Sequence, residues 1–130
     1  MEKTKFEFIL YCADQQKSTK FYEHVLRQKP VLNVPGMTEF RLTDDVKLGL
    51  MPEQGIAKIL GTKTPSPISG HGIPRCELYI YCDEPEELFQ RALEMDAVSI
   101  SKVTFRDWGD KAGYVSDLDG RIVTFAQVTM

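Results

Sequence analysis

No stretch of this sequence approaches the roughly 20 apolar residues that a membrane-spanning helix needs. The opening Met1-Glu2-Lys3-Thr4-Lys5 runs straight into a strand pattern, with none of the apolar core of a secretory leader. A membrane is therefore not an expected partner, and the cytoplasm is the expected location. An excess of basic charge is also missing. The formal net charge is −3, and the lysines and arginines are scattered, which argues against nucleic acid. Cysteine is sparse and odd in number: Cys12, Cys76 and Cys82 form no CxxC pair. That usage suits reduced thiols of an intracellular protein, acting as small buried apolar residues. Histidine is limited to His24 and His71. No G-x-S-x-G nucleophile elbow occurs, and the GHG segment lacks the strand-then-helix setting of a phosphate loop.

A repeated strand is present. EFILYCAD at residues 7–14 returns as ELYIYCD at residues 77–83, each with a glutamate, an apolar run, Tyr-Cys and an aspartate. At 130 residues the chain fits a single domain, and the repeat divides it. Phe6 to Cys12 predicts a strand. Asp14 suits a helix N-cap, and Phe21, Tyr22, Val25 and Leu26 fall at helical spacing, predicting a helix from Gln15 to about Arg27. Strands follow over Lys29–Val34, Met37–Leu42 and Val46–Met51. The segment from Pro52 to Pro74 is rich in proline and glycine, and predicts a linker or lid with one helical turn around Ile56–Leu60. Arg75–Cys82 restarts the pattern. Asp83 is the expected cap, Pro85 suits a first helical turn, and extended segments follow at Val98–Phe105, Ala112–Asp117 and Arg121–Val128. The expected architecture is α+β: two βαβββ modules, about 4–51 and about 75–130, joined by a linker of about 52–74.

Side chains alternate along a strand. Glu7, Ile9 and Tyr11 share one face, as do Glu77, Tyr79 and Tyr81, and the opposite, all-apolar faces are expected under the helices. A face of tyrosines and one acid suits a concave small-molecule pocket, and equally an ordinary solvent-facing sheet. Phe40, Phe105 and Trp108 are further candidate pocket walls, with Trp108 either stacking on a planar ligand or closing a barrel end. Arg41 and Arg75 are candidates to meet an anionic ligand, or ordinary surface arginines. Asp117, Asp119 and Gly120 are read as turn formers.

Four segments resemble those of the glyoxalase/bleomycin-resistance/dioxygenase superfamily, the vicinal oxygen chelate proteins, and together they span nearly the whole chain. They are Ser18-x-x-Phe21-Tyr22-x-x-Val25-Leu26, EFRLTDDVKLGL, ELYIYCDEPEELFQRAL, and Trp108-Gly109 followed by Tyr114-Val115-Ser116-Asp117-Leu118-Asp119-Gly120-Arg121. The resemblance implies cupped mixed sheets and four metal-ligand positions, usually histidine or glutamate. Those positions fall here on Glu7, Gly49, Glu77 and Thr124. A glycine has no side chain to ligate with and a threonine is a poor donor. Neither histidine matches a ligand position, and a ring-cleaving dioxygenase, which needs two, is disfavoured.

The function this implies is binding of a small molecule, with Tyr11, Phe40, Tyr79, Tyr81, Phe105, Trp108 and Thr124 lining the site. The protein is expected as a homodimer with no resident cofactor; a divalent metal, if bound, has Glu7 and Glu77 as its ligands. The alternative is a lyase or isomerase resembling lactoylglutathione lyase, with Glu7 and Glu77 as catalytic groups and an altered metal shell. If those acids share a cup, their like charges raise the pKa of one and suit it to acid–base work without metal.

Overall fold

The computed structural model describes residues 4–129; Met1–Lys3 of the opening segment and Met130, the end of the second module, lie outside the described residues. The chain divides into two compact units. One holds the residues up to Glu23 together with Arg27–Gly70, and the other holds His24–Leu26 together with the chain from His71.

In the first unit, β1 (Phe6–Cys12) leads into α1 (Gln15–Leu26), whose last three residues count with the second unit, followed by β2 (Leu32–Val34), β3 (Met37–Thr43) and β4 (Val46–Pro52). The sheet runs β1-β4-β3-β2, with β1 parallel to β4 and the other pairs antiparallel. Asp14 caps α1 as expected, its carboxylate accepting from the Lys17 amide, which satisfies one of the free donors at the helix start. One face of the sheet carries Cys12, Phe40, Leu48, Leu50 and Thr38, all fully buried. The Thr38 hydroxyl lies 2.9 Å from that of Thr19 on α1, and Gln15 donates from Nε2 to Thr38 and to the Val34 carbonyl. Those bonds tie the helix start to the β2–β3 hairpin. Phe8 shares the apolar face, yet it stands on an edge strand and remains 60% exposed, so the expected cover of that face is incomplete there.

The proline-rich segment is more ordered than predicted. It opens with α2 (Glu53–Leu60), which buries Ile56, and includes a short 3-10 turn at Pro67–Gly70. Two full turns form because QGIAKIL places apolar residues at helical spacing, with glycine standing at the helix end, Gly61.

In the second unit, β5 (Glu77–Tyr81), α3 (Pro85–Glu94), β6 (Val98–Phe105), β7 (Asp110–Ser116) and β8 (Ile122–Val128) form a sheet of order β5-β8-β7-β6, again with one parallel pair. The same strand order in both units makes each a βαβββ module. Helix α3 packs on β7, β8 and β6 and buries Phe89 and Ala92. Gly113 on β7 admits it: a Cβ there would lie 2.9 Å from the Phe89 ring. The cap of α3 is Glu84, without a side-chain bond, and not Asp83; Pro85 does begin the helix, where its missing amide costs nothing. Asp117 organises the β7–β8 turn, its Oδ1 accepting the amides of Asp119 and Arg121. Gly120 in that turn has φ +83°, and its missing side chain lets Gly72 of the preceding segment pack against it. Among the described residues no helix is long and apolar enough to cross a membrane.

Of the cysteines, Cys12 is buried as expected, Cys82 is half-buried and Cys76 is exposed; none forms a disulfide. The small-apolar reading therefore holds for Cys12 and fails for Cys76, which precedes β5 and has no layer over it.

Candidate functional site

Each module presents an open sheet face with its repeated glutamate. In the first unit the register places Glu7 beside Lys47, Ile9 beside Gly49, Tyr11 beside Met51, and Glu39 beside Gly49. Glu7, Tyr11, Glu39, Lys47 and Gly49 therefore share one face across β1, β4 and β3. Lys47 Nζ lies 2.9 Å from Glu39 Oε1 and 4.0 Å from Glu7 Oε1. Glu7 Oε2 is buried without a hydrogen-bond partner and lies over Gly49, 2.5 Å from where a Cβ would stand. The glycine thus makes the space into which the carboxyl folds. Burial, followed by the hydrogen bond and charge of Glu39, raises the Glu7 pKa. The bond from Lys47 lowers that of Glu39.

Phe40, expected on this face, lies on the opposite one, opposite Leu48 and fully buried. Strand alternation puts it there, because Glu39 next to it points to the open side. Arg41 is in register with Lys47 on the open face and is exposed.

In the second unit Glu77, Tyr79 and Tyr81 share a face with Thr124 and Ala126 of β8 and with Tyr114, Ala112 and Asp110 of β7. The fully buried Thr124 donates to Glu77 Oε2 at 2.7 Å. The Tyr79 phenol reaches over β8 to donate to Asp110 Oδ2 at 2.6 Å, and its oxygen accepts from Trp108 Nε1 at 2.9 Å. Small residues on this face, Ala112 and Ala126, are fully buried. Burial and the bond to Asp110 push the Tyr79 pKa up to about 12. Burial, and after it the Glu77 charge, raise the Tyr114 phenol. The Arg106 guanidinium sits 5.0 Å from the Tyr114 ring centre, held by bonds to Ser101 Oγ and the Lys102 and Ala112 carbonyls. The Tyr79 and Tyr81 rings meet edge to face, 5.2 Å apart. Tyr81 and Trp108 remain 62% and 59% exposed, available to a ligand.

Phe105 does not join this group. It pairs with Lys111, whose ammonium bonds Glu86 on α3, so it stands on the helix side of the sheet. The bulges along β6 shift its register there. Arg75 is exposed ahead of β5, His71 is exposed in the linker, and His24 Nε2 lies 3.0 Å from Glu94 Oε1. Sequence reasoning missed Glu39, Lys47, Asp110, Tyr114 and Arg106. Glu39 and Lys47 were within reach, because pairing the strands on either side of the Thr43-Asp44-Asp45 turn puts Glu39 beside Gly49, and Lys47, two residues before Gly49, shares that face. Asp110 carried no signal, since WGDK reads as a turn. Among the described residues no group of three or more histidine, cysteine, aspartate or glutamate side chains is placed to hold a metal ion.

No protein-family model and no curated protein matches the sequence. Solved structures do match in fold. A glyoxalase-related enzyme from Fulvimarina pelagi aligns over 98% of this chain and 88% of its own, with a TM-score of 0.81 at 19% identity. A glyoxalase/bleomycin resistance protein/dioxygenase from Nocardioides aligns over 98% and 85%, with a TM-score of 0.74 at 18% identity. A glyoxalase/bleomycin resistance protein/dioxygenase family enzyme from Burkholderia phytofirmans aligns over 94% and 96%, with a TM-score of 0.74 at 13% identity. The chain therefore has the glyoxalase/bleomycin-resistance fold of the vicinal oxygen chelate proteins, as its four sequence segments implied. A shared fold does not carry a shared reaction.

Proposed function

We propose that this protein binds a small, flat, partly aromatic molecule on the open face of the second module, without a resident metal ion, as a homodimer in the cytoplasm. The observation that carries the reading is the chain of side chains Trp108–Tyr79–Asp110 beside Thr124–Glu77. Aromatic rings give area for stacking, and the hydroxyl and carboxyl groups, fixed by bonds to one another, give orientation. Tyr81 and Trp108 supply the exposed rings, and Tyr79 is held in place beneath by Asp110. The dimer and the cytoplasmic location rest on the resemblance and on composition.

The donors at the ligand positions do not fit a divalent ion. Gly49 offers no side-chain donor, and the Thr124 hydroxyl is committed to Glu77. Glu7 has an ammonium 4.0 Å away, which repels a second cation. Two carboxylates without histidine make a weak site for a transition ion.

One observation favours a second reading, a lyase or isomerase of the glyoxalase type: burial and the neighbouring Glu39 raise the Glu7 pKa, which makes its carboxylate a better proton acceptor than an ordinary glutamate. The two readings separate in one set of measurements. Trp108 is the only tryptophan, so its emission reports on ligands directly. Saturable quenching by a planar aromatic compound, lost in Tyr81→Ala, is the expected result. Formation of lactoylglutathione that disappears in Glu7→Gln overturns it in favour of the second reading.

A further inference from the structure

The two sheets can be compared at the same four register positions. In the first module these hold Glu7, Lys47, Gly49 and Glu39; in the second they hold Glu77, Ile122, Thr124 and Tyr114. At these positions the first module has two acids with a lysine between them, and the second has a single acid with an isoleucine in the lysine's place. The difference has a physical cause. The Glu39 and Glu7 side chains are only 15% and 23% exposed. Two carboxylates on one face, largely removed from water, repel one another unless a cation stands between them. Lys47 stands there, closer to Glu39 than to Glu7. Arg41 is in register on the same face but is exposed, and toward Lys47 it acts as a like charge. It does not replace the ammonium.

We propose that Lys47 is a built-in cation of the Glu7–Glu39 cluster, taking the part a divalent ion plays in metal-dependent proteins of this fold and keeping such ions out. The inference rests on the metal-free reading above and adds the residue that enforces it. The Lys47 side chain is 43% exposed, so its replacement leaves the core untouched.

The test uses the full chain and Mn2+ alone, with free Mn2+ followed by electron paramagnetic resonance. Wild type and Lys47→Arg are expected to take up no Mn2+ at millimolar concentration. Lys47→Gln is expected to bind it at least roughly tenfold more tightly than wild type, because the repelling ammonium is gone. The gain should vanish in the double variant Lys47→Gln with Glu7→Gln. A folded Lys47→Gln that binds Mn2+ no better than wild type overturns the inference and leaves the metal-free reading standing. Stoichiometric uptake by wild type, lost in Glu7→Gln, overturns both. Should Lys47→Gln unfold in metal-free buffer, millimolar Mn2+ is expected to restore its fold as a substitute cation; absence of rescue overturns the inference.

Discussion

Replacing Tyr79 by phenylalanine keeps the ring and removes one oxygen, and that oxygen has two bonds. It donates to Asp110 at 2.6 Å and accepts from Trp108 at 2.9 Å. Asp110 is only 7% exposed, so water cannot fully replace the lost donor. A hydrogen bond to a charged group contributes about 1.5–3 kcal/mol. The loss for Tyr79→Phe should therefore be about 2–3 kcal/mol, since the Asp110 carboxylate is left without its donor. Unfolding entropy near the midpoint is about 2.1 cal/mol/K per residue, or about 0.27 kcal/mol/K for a chain of this length. The expected fall in Tm is then about 7–11 °C by calorimetry. The same variant frees the Trp108 N–H from its acceptor, and the emission should move to longer wavelength as the ring meets more water. A variant melting within about 2 °C of wild type, with unchanged emission, refutes the claim that these three side chains form one bonded unit.

Further outcomes follow from the same geometry. Titration of Tyr79 links to stability: its folded pKa of about 12 stands above the ordinary value of 10.0. Its contribution is complete below pH 10 and fades as pH rises toward 12, because the unfolded chain releases the proton first. Denaturant melts across that range should show a decline that is shallower in Tyr79→Phe. Gly120→Ala should cost about 2–4 kcal/mol in a thermal melt, because φ is +83° and the new methyl meets the Gly72 backbone, 2.8 Å from its Cα, which cannot swing aside. Thr124→Val removes the hydroxyl that holds Glu77 and should cost about 1 kcal/mol. It should also weaken any ligand that quenches Trp108, and a variant indistinguishable from wild type in both respects removes Thr124 from the site.

The architecture was legible because both strand–helix openings carry the same pattern, and because Asp14 and Pro85 mark helix starts by local chemistry that needs no tertiary context. The linker was harder. Its prolines and glycines bracket a segment, residues 53–60, whose helical spacing is short and easily lost beside them. Strand alternation placed Glu7, Tyr11, Glu77, Tyr79 and Tyr81 together on open faces. The same rule, applied to the third strand, would have placed Phe40 on the buried side, and the bulges of β6 carried Phe105 to the helix side with no mark in the sequence. The sequence paired Glu7 with Glu77 for a raised pKa; the raised pKa at Glu7 has a different source. Its causes are burial and Glu39, which stands two strands away in the same sheet, and that proximity exists only once register is known.

Elemental analysis of the chain purified without chelators bears most directly on the claim that it works with no resident ion. The account predicts transition metal far below one equivalent, in wild type and Glu7→Ala alike. One equivalent in wild type, lost in Glu7→Ala, contradicts it.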